Sequence, residues 1–192
     1  MKLDRKFYQR SGLIVARELI GKKLVHCSAE GVTSGIIVEA EAYMGAEDAA
    51  AHSYKNLRTK RTEAMFNTGG HAYIYLIYGM YLCFNVVANV KDVPEAVLIR
   101  ALEPVEGIDL MKQRRNKSKL RDLCSGPGKL TQALGINKSH YNADLCGDEL
   151  FIEATTDNKF EIAASKRINV DYAGEAANYP WRFTMKGNKY IS

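Results

Sequence analysis

Between Ala64 and Val90 the sequence has no Asp, Glu, Lys or Arg. A charge-free run of that length invites a membrane-spanning helix. This one, NTGGHAYIYLIYGMYLCFNVVANV, carries asparagines and glycines and alternates like sheet, so a buried β-hairpin is expected instead. Cysteine is scarce: Cys27, Cys83, Cys124 and Cys146 stand far apart, with no C-x-x-C pair and no histidine at ligand spacing. That excludes a disulfide framework and a cysteine-built zinc site, and it fits reduced, intracellular thiols. The one tryptophan, Trp181, cannot line a sugar cleft of the tryptophan-rich kind. The opening segment MKLDRKFYQR has no apolar core of the secretory type, so an intracellular location is expected, cytoplasmic and nucleoid-associated if the source is prokaryotic. A Walker phosphate loop is missing too, because SGPGKL lacks its glycine and Ser/Thr positions.

What is present is an ordinary globular composition, 46% apolar and 26% charged over 192 residues. A chain of that size buries roughly 70% of its unfolded surface without staples, and one domain, 1–192, is expected. The net charge of +5 admits a polyanionic partner without requiring one. Ser11 stands at the start of a helical pattern (Leu13, Ala16, Leu19, Ile20) that Gly21 ends. Strands are expected over Lys23–Cys27, Gly35–Tyr43, Ala72–Ile77, Tyr81–Ala88, Ala96–Leu102, Glu149–Glu153 and Phe160–Ala164. The segment Met44–Asn67 reads as a long functional loop with at most a short helix. EPVEGIDLMKQRR reads as a helix with Pro104 at its first position, and CSGPGKLTQALGI as a second, with Ser125 before Pro127 and Gly135 after it. Strands and helices mix without regular βαβ alternation, so the fold class is α+β with a mostly antiparallel sheet.

Alternation over Gly35–Tyr43 places Ile37, Glu39, Glu41 and Tyr43 on one face, with Ile36, Val38, Ala40 and Ala42 opposite as candidate core. A solvated acidic edge explains that pattern, and so does a desolvated carboxylate acting as a base. Two carboxylates at i and i+2 also stand ~7 Å apart, within the range of an inverting sugar hydrolase. Glu47, Asp48 and His52 form an incomplete metal-ligand set. At Tyr78-Gly79-Met80 the hairpin turns on a tyrosine and a methionine, where Gly, Asn, Asp or Ser is usual. Either another segment covers that tip, or it is an apolar wedge of the kind that enters a base stack. Cations flank the region at Lys55, Arg58, Lys60 and Arg61, and again at Arg114, Arg115, Lys117, Lys119 and Arg121. These are solvated faces or phosphate contacts, and Gly128 with Lys129 at a helix start is a plausible phosphate seat.

VEAEAYMGAEDAAAHS, YIYLIYGMYLCFNV, VLIRALEPVEG, LCSGPGKLTQALGI and RINVDYAGE occur in this order and at this spacing. From about Phe7 to Phe183 the chain thereby resembles the alkyladenine (3-methyladenine) DNA glycosylase family, the type without a helix-hairpin-helix. The resemblance implies a curved sheet flanked by helices, with a protruding β-hairpin. It also implies a monofunctional enzyme that flips alkylated or deaminated purines out of duplex DNA and hydrolyses the N-glycosidic bond. By position, Glu41 matches the general base and Arg100 the arginine that helps hold the attacking water. Tyr43, His52 and Tyr75 match the walls of the base pocket, Asn85 a pocket asparagine, and Tyr78 the side chain that fills the gap left in the stack. Glu39 is expected to be structural, paired with a cation. Phosphate contacts are expected from Arg58, Arg61, Arg115, Lys119 and Lys129. Double-stranded DNA is the partner implied, with no cofactor, no metal, no membrane and a monomeric state. No lysine occupies the pocket motif, so no imine-forming step is expected. A catalytically silent protein that binds damaged DNA is the alternative.

Overall fold

Runs of β-branched and aromatic residues give eight strands among residues 1–156 and 159–192, which this computed structural model describes. Two helices lead in, α1 (Arg5–Tyr8) and α2 (Gly12–Leu19). A two-residue turn at Ala29 and Glu30 joins β1 (Lys23–Ser28) to β2 (Gly31–Tyr43). The loop that follows holds three short 3₁₀ turns. Next come β3 (Ala72–Ile77), β4 (Tyr81–Ala88) and β5 (Glu95–Glu106), then α3 (Ile108–Arg115), α4 (Arg121–Cys124) and α5 (Pro127–Leu134). The chain finishes with β6 (Leu150–Glu153), β7 (Ile162–Ser165) and β8 (Arg182–Met185). All pairings are antiparallel, in the order β3-β4-β5-β2-β1-β6, with β8 on β2 and β7 on β8. The fold is α+β.

β2 is the hub of the sheet. Its first half pairs with β1, its second half with β8 over Glu39–Glu41, and its other edge with β5 nearly throughout. Glu39 and Glu41 therefore project from backbone that is hydrogen-bonded on both sides, a rigid mounting. The helices cover one face of the sheet. There Val15, Ala16 and Leu19 of α2, Met111 of α3 and Leu130, Ala133 and Leu134 of α5 pack with Ala40, Ala42, Phe84, Val86, Val97 and Ile99. The other face carries smaller clusters, Met65 and Phe66 against Tyr73 and Val87, and Ala50 with Val170, Ala173 and Ala176 beside Tyr43.

The expected strands are found, with small shifts of their ends and with β8 as an addition. Three expectations need correction. Pro104 does not start a helix: it lies in β5 opposite Gly35, beside a register shift where a missing N–H costs little. The helix begins after Gly107, whose φ of +70° breaks the strand and where a Cβ would sit 2.3 Å from the Val32 carbonyl oxygen. Ile37 does not share a face with the glutamates. The β2–β5 register shifts on both sides of Glu39, so Ile37 joins Ala40 and Ala42 in the main core, while Val38 packs on Ala101 and Tyr190. Ser11 precedes α2, but its side chain caps nothing; the Glu95 carboxylate accepts from the Gly12 N–H at 2.6 Å instead. No helix among the described residues is long and apolar enough to cross a membrane, and the uncharged 64–90 run is largely the β3–β4 hairpin.

Candidate active site

Glu41 is fully buried, yet its carboxylate is well supplied with donors. Oε1 accepts from the Ile168 N–H at 2.8 Å. Oε2 accepts from the Tyr43 hydroxyl at 2.9 Å and faces Arg100 Nη1 at 3.4 Å. Burial pushes its pKa above the usual carboxylate range, and Arg100, the Ile168 N–H and the Tyr43 hydroxyl only partly offset this. Glu39 is the more completely neutralised neighbour. It accepts from Arg182 Nε at 2.6 Å, Arg100 Nε at 3.2 Å and the Ser192 N–H at 2.7 Å. The cation pairing expected for Glu39 is thus present twice over, and Glu39 in turn braces Arg100 against Glu41.

Above this layer opens a cavity of about 500 Å³. Tyr43, Arg100 and Ile168, the three groups bonded to Glu41, all line it, while Glu41 itself lies behind them. Its walls include His52, Tyr73, Tyr75 and Asn85, with the hairpin residues Tyr78 and Tyr81 at its edge. His52 meets Tyr75 edge-on with centroids 4.6 Å apart. Burial and then Arg61 lower the His52 pKa to about 4, so the ring is neutral at physiological pH. Arg61 has no lone pair, and its Nη2 lies 3.5 Å from His52 Nε2. The imidazole proton therefore belongs on Nδ1, where it donates to the Tyr73 oxygen at 2.9 Å. Asn85 is oriented by donating from Nδ2 to the Tyr73 carbonyl at 3.1 Å.

Tyr78 is 72% exposed at the hairpin tip, and Met80 beside it is 68% exposed. Among the described residues nothing covers the tip. Tyr78 and Gly79 both have positive φ, +52° and +71°, as in a type I′ turn. Gly79 takes that conformation freely, whereas a tyrosine in it is strained.

The expected phosphate contacts divide. Arg61 lies on the cavity wall, its guanidinium 5.4 Å from the Tyr75 ring centroid. Lys119 and Lys129 are exposed, Lys129 within 3.4 Å of Ser125 Oγ at the start of α5. Arg58 is already held by Glu63 and Asp92, and Arg115 by Gln132 and the Asp122 carbonyl. The rival arrangements are not assembled. Glu39 is fully buried and held by Arg182 and Arg100, Asp48 is consumed by Arg167, and Trp181 packs on Tyr179. One group among the described residues has metal-like spacing, His26, His140 and Glu149. There, however, His140 Nδ1 accepts from the Asn137 N–H, so its proton sits on Nε2 and is donated to His26 Nε2 at 3.1 Å. His26 Nδ1 donates to the Leu134 carbonyl at 2.7 Å. The lone pairs of both histidines are thus spent within the fold, which leaves a cation only the exposed Glu149.

Sequence reasoning missed Tyr73, Arg167, Ile168 and Tyr172, which build the cavity or the layer beneath it. Tyr73 carried a signal, since it alternates with Tyr75 on one strand face. The 167–172 segment stood out only as part of the RINVDYAGE motif, and the role of the Ile168 N–H was hidden because a backbone N–H leaves no mark on residue type.

The family model for methylpurine-DNA glycosylase (MPG) matches residues 6–189 of this chain. A protein of Alkaliphilus oremlandii named "Putative 3-methyladenine DNA glycosylase" is 52% identical over 100% of this chain and 99% of its own length. Similar proteins bearing that name in Clostridium acetobutylicum and Desulfitobacterium hafniense are 51% and 48% identical, each over 100% of this chain and 98% of its own length.

Proposed function

The chain belongs to the methylpurine-DNA glycosylase family, and from that membership we propose that it extrudes a damaged purine nucleotide from duplex DNA and that Glu41 activates the water that cuts it free. It is a DNA glycosylase, a hydrolase of N-glycosyl bonds acting in DNA repair. A base inside a duplex is out of reach of any side chain, so the enzyme must first take it out of the stack, at a cost of a few kcal/mol that is least for a damaged or mispaired base. The exposed, uncharged Tyr78 tip supports the role of a plug for the vacated space. Tyr43, Tyr75 and neutral His52 then receive the base, and stacking returns roughly 1–3 kcal/mol per base.

The observation that carries the catalytic assignment is the buried Glu41 carboxylate with its raised pKa, set directly behind three lining groups of an aromatic cavity. A desolvated carboxylate is a stronger base toward water. Water attacks C1′ as the base departs; its proton passes to Glu41 and the bond electrons leave with the purine. A purine alkylated at N3 or N7 is already cationic and departs without an acid. No lysine lines the cavity among the described residues, which supports hydrolysis rather than imine formation.

The test is single-turnover incubation with duplex oligonucleotides carrying one 3-methyladenine, ethenoadenine or hypoxanthine, with alkali to reveal abasic sites. Cleavage by the wild type and a loss of about 100-fold or more in Glu41→Gln is expected. Binding of all three lesions without cleavage would sink the assignment and leave a damage-recognition protein.

A further inference from the structure

Arg167 and Asp48 form an ion pair whose side chains are both fully buried. Nη1 donates to Oδ2 at 2.5 Å and Nη2 to Oδ1 at 2.8 Å. The guanidinium also donates to the Ala42 carbonyl at 3.0 Å and the Ala176 carbonyl at 3.1 Å. Asp48 accepts in turn from the Met44 and Ala50 N–H groups, at 3.0 Å each. Three segments meet there: the end of β2, the 44–52 loop and the 167–176 segment. All three supply cavity lining: Tyr43 from β2, Ala50 and His52 from the loop, and Ile168–Val170 from the third segment. Burying two charges is costly, and an apolar pair would hold a core as well. Something other than stability asks for this geometry.

Its neighbours supply the reason. Ile168, next in the chain, gives its N–H to Glu41 Oε1. Tyr43, whose hydroxyl serves Oε2, lies with its ring 4.8 Å from the Arg167 guanidinium carbon. Both uncharged donors on the carboxylate thus rest on one side chain. We infer that Arg167, locked by Asp48, is a positioning residue for the hydrolysis, aiming the Ile168 N–H and the Tyr43 hydroxyl at Glu41. This rests on the assignment of Glu41 as the base and deepens it.

The ionic side chains around Glu41 are Arg100 from β5, Glu39 from β2 and Arg167. Tyr43, Tyr75, Tyr172 and Cys83 are kept neutral there, because burial raises their pKa values. The charged neighbours are therefore unchanged in Arg167→Lys, which keeps the cation but loses the fork. The Ile168 N–H and the Tyr43 hydroxyl both favour the ionised carboxylate. Misaiming them raises the Glu41 pKa further and moves the acidic limb of the rate profile to higher pH.

The experiment measures single-turnover excision against pH for the wild type, Arg167→Lys and Asp48→Asn, on whichever of the three lesion duplexes the wild type cuts fastest. Alongside it, duplex affinity and melting temperature are recorded. The expected result is a rate loss of about 10–100-fold at pH 7, an affinity changed by less than about threefold, and the shifted limb. Asp48→Asn keeps one acceptor and the shape of the side chain, so it carries the test if Arg167→Lys does not fold. A lower melting temperature with the limb and rate unmoved would make the pair a structural bridge and overturn the inference. Absence of excision by the wild type on every lesion would overturn the base assignment itself, and the positioning role with it.

Discussion

Glu41 stores a conflict between chemistry and folding. Its folded pKa lies above the unfolded value, because burial outweighs the donors around it. The folded state therefore binds the proton more tightly than the unfolded state does. That contribution to stability is present below the ordinary carboxylate range and is lost as pH rises through the folded pKa. At neutral pH the ionised carboxylate weighs against the fold. Glu41→Gln is accordingly expected to melt at a higher temperature than the wild type at pH 7, with the difference shrinking toward pH 4, a comparison that calorimetry across pH checks. The variant proposed to lose cleavage is thus expected to be the more stable protein. Glu41 itself was singled out in the sequence through the VEAEAY motif, since strand alternation alone left it and Glu39 equally open as a solvated edge or a desolvated base. Its Ile168 donor was not, because that contact is made by backbone from 127 positions away.

At the scale of elements, the strands could be read from alternation and α5 from Ser125 before Pro127 and Gly135 after it. The misreadings have local physical causes. Pro104 fits a helix start and a strand irregularity equally well, and only pairing with Gly35 decides between them. The register shifts at Glu39 depend on β5 and leave no trace in β2's own residues. Four-residue β8 was missed although it flanks the site, its place being set by pairing with β2 and β7. The hairpin turn is where sequence and structure agree most informatively: a tyrosine stands where the backbone asks for Asn or Gly. Tyr78→Asn would restore an Asn-Gly turn and relieve left-handed strain worth about 1–2 kcal/mol. It is expected to raise stability in chemical denaturation. In single turnover the same change should slow excision, because an insertion worth about 1–3 kcal/mol in the flipped complex is lost.

For the whole molecule, the polar and apolar tasks are divided in space. The cations expected to meet phosphate stand in the 55–61 loop and from Arg114 to Lys129, on either side of a stretch that has no charged side chain from Ala64 to Val90. The fold places that stretch as the projecting hairpin. The sequence revealed the division as a gap in charge; which gap projects and which is buried depends on the sheet that carries it. The consequence is for ionic strength. Encounter with DNA releases counterions and should weaken steeply between about 50 and 200 mM salt. Insertion of an uncharged tip releases none. At saturating enzyme the excision rate should therefore hold nearly level over that interval while the half-saturating concentration climbs. Salt would then govern how often the protein samples DNA and leave almost untouched what it does once a damaged base is in hand.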